Sequence, residues 1–294
     1  MQIVEITDSF RMQQFSRLLD QAFQLAPGMH YLDDFPIWSA AGAGERSVIR
    51  LGAVSDEGDL MAGAGLRLAS IRTLSGDAVR AALIGAVATG ERFRGQGLAT
   101  RLVAQALARA RDAGAAVALL WGAEHSLYAK LGFTLCGSQI LIPLQSLELP
   151  KAGGSLEKGW NPGIFDLLMK RGSGVILTPQ DRVWIEAHRH VDWYWVGPRT
   201  APDAYAAVGR GIDLGGLVHE WGGEPSALKA LLGSLRAERP ELTLLGSSRD
   251  VEKLGFSREK SRQEFLYLAA VLDPARIAPR VIQEEIWIWG LDAV

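Results

Sequence analysis

The sequence predicts an α/β (α+β) protein of two domains, each a mixed central sheet flanked by helices. Three observations lead there. The chain has 294 residues, long for one hydrophobic core when domains cluster at about 100–150 residues. Helix-like and strand-like periodicities alternate along it, which favours layered sheets and helices. A helix, an apolar strand and a Leu-Gly-Phe turn also occur twice: Leu119-Leu120-Trp121 with Leu131-Gly-Phe133, then Leu242-Thr-Leu-Leu245 with Leu254-Gly-Phe256. Weak self-similarity of this kind points to twin domains of one fold.

The elements follow in order. Asp8 is an N-cap residue, and Phe15, Leu18, Leu19, Ala22 and Phe23 share one helical face, so a helix is expected over 9–24. Pro27 and Pro36 break the aromatic and acidic stretch at 25–38, which suits a shaped loop or short helix, lining a pocket or simply packed. Residues 47–54 and 60–73 are β-compatible around the turn-forming Asp56-Glu-Gly-Asp59, hence a hairpin, with a third strand at 79–89. Leu98, Leu102, Ala106 and Ala110 form a helical stripe over 97–113, Gly114 sits where a left-handed cap belongs, and 116–121 reads as a buried strand.

Pro150-Lys-Ala-Gly-Gly-Ser155 is the best linker in the chain, which places the domains at 1–150 and 151–294. Beyond it Thr178-Pro-Gln-Asp181 carries helix-start chemistry. Strands are expected at 193–196, 203–209, 214–221, 242–245, 262–270 and 286–289, with a helix at 226–235. Of the nine tryptophans, Trp184, Trp193, Trp195, Trp221, Trp287 and Trp289 lie in this half, where packing between domains explains them more simply than a ligand cage.

Composition narrows the function. With 48% hydrophobic and 22% charged residues and a mean hydropathy of +0.08, the chain has material for filled cores, and disorder is excluded as its main state. Lys plus Arg number 31 against 33 Asp plus Glu, a net charge of -2, without the positive field that nucleic-acid binding demands. The single cysteine, Cys136, makes no intramolecular disulfide, and no His/Cys cluster has metal-ligand spacing, so a reducing cytoplasm and no metal are expected. The start at Met1 lacks a signal peptide's basic and apolar regions, and no uncharged run reaches the roughly 20 residues of a spanning helix. A soluble, unprocessed protein without membrane or nucleic-acid partners is the expectation.

The chemistry-bearing stretch is Val87-Ala-Thr-Gly-Glu-Arg-Phe-Arg-Gly-Gln-Gly-Leu-Ala-Thr100, a strand emptying into a loop and then a helix start. Gly95 and Gly97 allow a tight curve with several N–H groups pointing one way, and the helix dipole adds positive potential there. Such a nest binds phosphate oxygens, and Arg94 adds a cation. An ordinary glycine-rich connection before a helix is the alternative. A Walker A loop is excluded because Leu98-Ala99 stands where Lys-Ser/Thr would be, and a dinucleotide fingerprint fits poorly because Thr100 holds the third glycine position.

Here the sequence resembles the GNAT superfamily of acyl-CoA-dependent N-acetyltransferases, whose Arg/Gln-x-x-Gly-x-Gly/Ala pattern is met by Arg94-Gly-Gln-Gly97-Leu-Ala99. A second mark, Leu127-Tyr-Ala-Lys-Leu-Gly-Phe133, is similar to the segment carrying that family's frequent catalytic tyrosine. The resemblance covers about residues 45–135. It implies acetyl-CoA as co-substrate, with the backbone of Val87, Ala88 and Thr89 holding the pantetheine arm and acetyl carbonyl where two parallel strands splay. Gly95, Gln96, Gly97, Leu98, Ala99 and Thr100 would wrap the pyrophosphate, with Arg94 beside it, and Tyr128 would be the general acid, unless it is only a core aromatic. The implied reaction is acetyl transfer to a primary amine, a small molecule or peptide, by direct attack in a ternary complex. The alternative is a non-catalytic acyl-CoA-binding sensor or interaction protein of the same fold.

No acid stands on the strand at 79–87, where many relatives of the family place one. Glu124 and His125 are candidate bases, with a helix-start acid and a surface or packing histidine as the competing readings. Asp33 and Asp34 either read a cationic substrate or belong to a solvated loop. The second half keeps the echo but not the nest, and Val251 stands where Tyr128 stands relative to Leu-Gly-Phe. One cofactor site is therefore expected, as in tandem GNAT proteins of the enhanced-intracellular-survival type, whose degenerate copy shapes the acceptor side. Glu220 on the equivalent strand either contacts an amine or is satisfied locally. In that group a terminal carboxylate can serve as base, which directs attention to Val294. The acceptor's identity and the oligomeric state are left open by the sequence.

Overall fold

The computed structural model describes residues 1–39, 47–151 and 156–294. In chain order its elements are β1 (Gln2–Glu5), α1 (Ser9–Ala22), α2 (Tyr31–Asp34), β2 (Val48–Val54), β3 (Leu60–Arg72), β4 (Ala78–Thr89), α3 (Leu98–Asp112), β5 (Val117–Leu120), α4 (His125–Ala129), β6 (Thr134–Cys136) and β7 (Gln139–Pro143). There follow β8 (Glu157–Lys158), α5 (Pro162–Met169), β9 (Gly174–Val175), α6 (Arg182–Glu186), β10 (Asp192–Val196), β11 (Ala204–Arg210), β12 (Asp213–Gly223), α7 (Pro225–Glu238), β13 (Thr243–Gly246), α8 (Ser248–Lys253), β14 (Arg262–Glu264), β15 (Tyr267–Val271) and α9 (Pro279–Glu284). Of the linker expected at 150–155, residues 152–155 lie outside the described residues.

Two mixed sheets flanked by helices form the fold. The first runs β1-β2-β3-β4-β5-β15-β6 with β9 on β3, and the second β14-β7-β13-β12-β11-β10-β8. Each contains an antiparallel run followed by one parallel neighbour, β4 with β5 and β12 with β13. A parallel pair needs a crossover, supplied by α3 and α7. The stripe read from the sequence is the buried face of α3, with Leu98, Leu102, Ala106 and Ala110 packed inward. That packing fixes the first turn of α3 beside the end of β4. The echo between halves persists in hydrogen bonds: Phe133 N–H donates to the Tyr128 carbonyl at 3.2 Å, and Phe256 N–H to the Val251 carbonyl at 3.3 Å.

The sheets also exchange strands. β15 lies between β5 and β6 in the first sheet, while β7 lies between β13 and β14 in the second. Each sheet thus draws strands from both sides of the 150–155 segment. A buried Arg67–Asp181 pair at 3.0 Å adds a tie between the halves.

Two expectations need correction. The single strand expected at 262–270 is two: Arg262–Glu264 pairs with β7 in the second sheet, and Tyr267–Val271 with β5 and β6 in the first. Residues 265 and 266 cross between sheets, and alternation alone does not show which edge a residue meets. The strand expected at 286–289 has no ladder partner among the described residues. Its Trp287, Ile288 and Trp289 are buried, with Trp289 packed edge-on against Trp221 at 5.1 Å and donating from Nε1 to the Ser173 carbonyl at 3.1 Å. Burial on all sides produces the same apolar run as a central strand does. At 178–181 the expected helix-start chemistry is present, Thr178 N–H donating to Asp181 Oδ2 at 2.7 Å, and it opens a 3₁₀ turn that runs into the short α6.

Candidate active site

β4 and β5 pair only as far as Ile84 and Leu120, where β5 ends while β4 continues to Thr89. Residues 85–89 therefore face a cavity of about 1110 Å³ along the edge that β5 has left. On their other edge the register shifts. Gly63 pairs with Ala88 and Gly65 with Gly85, so Ala86 and Val87 together oppose one residue. Such a bulge re-aims main-chain groups. Ala86 has φ +50° as a result, and the other non-glycine residues of positive φ among those described, Gln24 and Leu214, line the same cavity. Backbone strain gathers at functional sites because packing must hold it there.

Below the bulge the chain turns into α3. Gly95 and Gly97 have φ of +77° and +72°, and the space where a Cβ would stand on either is empty for 4 Å. Gly97 is the N-cap of α3 and offers no side-chain acceptor, so the first-turn N–H groups look outward with the positive end of the helix dipole. Arg94 is exposed and, among the described residues, carries no ion pair. An open, cationic main-chain cradle of this kind fits a diphosphate. Of the ten residues assigned to it from the sequence, Val87, Ala88, Thr89, Arg94, Gly95, Gly97, Leu98, Ala99 and Thr100 line the cavity. Gln96 is exposed and lies off its wall.

Tyr128 enters the cavity from α4, buried and edge-on to Phe133 at 6.1 Å. Its ring lies on Gly122, where an added Cβ would stand 2.7 Å from ring carbon Cε2. Burial, and then the nearby Glu124 carboxylate, push its phenol above the usual tyrosine range, so the hydroxyl keeps its proton at neutral pH. Glu124 is the N-cap residue of α4 and lines the cavity. His125 is exposed and not part of the wall.

The opposite side draws on both halves of the chain. Phe23, Tyr31 and Phe35 form an aromatic stack with centroids 4.6 and 4.5 Å apart. The β11–β12 hairpin reaches them, laying Arg210 over the Phe35 ring at 4.2 Å. Arg210 forks onto Asp213, Nε to Oδ1 at 2.9 Å and Nη2 to Oδ2 at 2.6 Å, and donates from Nη1 to the carbonyls of Gly290 and Ala293, the former at 2.7 Å. It thereby fixes the C-terminal segment, whose Val294 main chain abuts Gly85 of β4. Tyr31 falls in the aromatic stretch at 25–38 that reads as pocket-lining or packed, whereas no local motif marks Arg210 or Asp213.

The acidic pair at 33 and 34 bonds to the second half of the chain and is not part of the cavity wall, and Asp34 is buried instead of lying in a solvated loop. Asp34 accepts from Ile212 N–H at 3.0 Å and contacts His190 Nδ1 at 2.6 Å, clamping the hairpin tip, while Asp33 meets Arg189 at 3.3 Å. Glu220 is fully buried with Arg171 Nη1 at 2.9 and 3.0 Å and Tyr205 Oη at 3.3 Å, and burial raises its carboxyl against the pull of Arg171. It is not part of the cavity wall. Arg171 also pairs with Asp292 at 3.0 Å, a second anchor for the C-terminal segment. Among the described residues no three His, Cys, Asp or Glu are grouped to hold a metal ion, and no helix is long and apolar enough to cross a membrane.

The family model described as an acetyltransferase (GNAT) domain matches residues 3–136. Among solved structures, a probable N-acyltransferase from Enterococcus faecalis V583 superposes with a TM-score of 0.66 at 15% identity, over 92% of this chain and 73% of that one. A GCN5-related N-acetyltransferase from Kribbella flavida gives 0.66 at 19% identity, over 95% and 73%. Eis1 from Mycobacterium abscessus gives 0.62 at 17% identity, over 92% and 73%. At such identities the likeness establishes the fold. No match is found among curated proteins.

Proposed function

We propose, from the match of residues 3–136 to the acetyltransferase (GNAT) family model, that this chain moves an acetyl group from acetyl-CoA to a primary amine by direct attack in a ternary complex. One observation carries the reading. The free edge of residues 85–89, the Gly95–Gly97 helix start and the buried Tyr128 phenol converge on a single cavity.

In this proposal the main-chain groups of Val87, Ala88 and Thr89 hold the pantetheine arm as a strand would. The N–H groups from Gly95 to Thr100 take the pyrophosphate, those of Gln96 included although its side chain lies outside. Bound there, acetyl-CoA supplies an activated acyl carbon. The bulged N–H donors around Ala86 to Thr89 stabilise negative charge developing on the acyl oxygen, the term that contributes most in acyl transfer. Tyr128 holds a proton for the departing thiolate, whose free pKa of about 8.5 makes protonated departure easier. An alkyl ammonium near pKa 10 must first lose a proton. Glu124, the candidate base that lines the cavity, receives it.

The test is release of free thiol from acetyl-CoA across a panel of primary amines, with calorimetry of coenzyme A beside it. Amine-dependent thiol release supports the transferase. Coenzyme A binding without release under every acceptor would favour a sensor, and no binding would remove the assignment.

A further inference from the structure

Behind the cavity wall lies a buried charge cluster that the reaction above does not use. Arg171 divides one guanidinium between two carboxylates, Nη1 donating to both Glu220 oxygens at 2.9 and 3.0 Å and Nη2 to Asp292 Oδ1 at 3.0 Å. The side chains of Arg171, Glu220 and Asp292 are 5%, 0% and 1% exposed. Tyr205 from β11 donates its hydroxyl to Glu220 at 3.3 Å. Arg171, Asp292 and Tyr205 are the charged or titratable groups that face the Glu220 carboxyl among the described residues. Burial, and then Glu220, push the Tyr205 phenol well above its usual range, so it is uncharged. Arg171 keeps its charge because Asp292 and Glu220 outweigh its burial. With both carboxyls ionised the cluster carries one negative charge in excess, away from water, and such a site resists the second ionisation.

Asp292 connects this cluster to the cavity. Its Oδ2 accepts from Val175 N–H at 3.0 Å, and Arg171 Nη2 reaches the Val175 carbonyl at 3.2 Å. The same loop receives Trp289, whose Nε1 donates to the Ser173 carbonyl. Trp289, Gly290, Ala293 and Val294 line the cavity. Resting on the acetyltransferase reading, we propose that Arg171 and Glu220 are positioning residues for the acceptor. Acting through Asp292, they seat residues 289–294 against the cavity, and the seat loosens when Glu220 gives its proton to water. Burial, with the Asp292 charge beside it, pushes the Glu220 carboxyl up to about 7 against the pull of Arg171. A carboxyl whose pKa is raised by docking takes up a proton as the segment docks. Docking is therefore firmest below that pH and weakens as the pH rises through it. The Arg210 bonds to Gly290 and Ala293 carry no such proton and keep the segment from leaving outright. The change is graded for that reason, about tenfold for one unit of pKa.

The unaltered protein is compared with Glu220→Gln, which keeps a neutral side chain in place, and with Asp292→Asn, which leaves Arg171 a single carboxylate. Phenethylamine and spermidine serve as acceptors, and each KM is taken relative to the Glu220→Gln value so that the amine's own titration cancels. That ratio should rise about tenfold for the unaltered protein between about pH 5.5 and about pH 8, with coenzyme A affinity level. Amide exchange, corrected for the intrinsic rate at each pH, should show protection of residues 289–294 falling by the same factor in the unaltered protein and staying level in both variants. A flat KM ratio, or protection in the unaltered protein that does not change with pH, overturns the proposal while leaving acetyl transfer standing. If neither amine releases thiol, the exchange result decides alone: level protection overturns the seating, and a fall that Glu220→Gln abolishes upholds it.

Discussion

Gly85 and Val294 touch through main chain alone: the carbonyl carbon and oxygen of Val294 occupy the space where a Cβ on residue 85 would stand. The contact seats the C-terminal segment on the strand whose next residues form the bulge. Sequence separation hides it, yet both residues line the same cavity.

Gly85→Ala should therefore push the segment outward without touching the phosphate cradle. The expected outcome is an acceptor KM raised about tenfold with coenzyme A affinity unchanged, and a stability loss of roughly 1–3 kcal/mol from overpacking. Steady-state kinetics, calorimetry and a urea melt check the three parts. An unaltered acceptor KM would show that Val294 does not shape that side.

Tyr128→Phe keeps the ring against Phe133 and Gly122 and removes only the hydroxyl. Turnover should fall by roughly 10- to 10⁴-fold with coenzyme A affinity preserved, the pattern of a lost general acid. If kcat survives the change, the proton comes from elsewhere.

Gly97→Val places a β-branched residue at φ +72°, a conformation that costs such residues about 1–2 kcal/mol. The surroundings are open, so the protein should fold and the loss should fall on coenzyme A binding. A calorimetric titration with normal affinity would contradict the cradle.

His219 is buried, donates from Nε2 to the Gly209 carbonyl at 2.9 Å, and is held down to about 4 by burial. Between pH 6.5 and 4 the unfolded imidazole binds a proton that the folded ring refuses, so this group's contribution to stability falls as the pH falls through that window. His188, held down to about 3 for the same reason, adds a second proton with the same sign. His219→Gln should reduce the dependence of unfolding free energy on pH by about one proton across that range. Urea melts at pH 4.5 and 7 would measure it, and identical slopes would argue that the ring is protonated when folded.

What was legible in the sequence was what local patterning encodes. The stripe on α3, the hairpin at 48–72, the strand ending at Thr89 and the glycine cradle follow from spacing of three to four residues or alternation of two, and the structure puts them where they were expected. The acid at 220 had two readings, and the buried Arg171 decides for the local one. What escaped depends on partners far away in the chain. β7 was not anticipated, and β14 and β15 read as one strand because alternation continues across the change of sheet. Nor does any motif near Arg210 announce that it holds Gly290, 80 residues on.

The exchange of β7 and β15 has a mechanical corollary. Removing either half would strip a middle rung from the sheet that remains, leaving β5 and β6, or β13 and β14, with bare edges facing one another. Cutting the backbone between Lys151 and Leu156 should accordingly leave two fragments clasped together until both unravel at once, so a nicked sample ought to elute and melt as one particle.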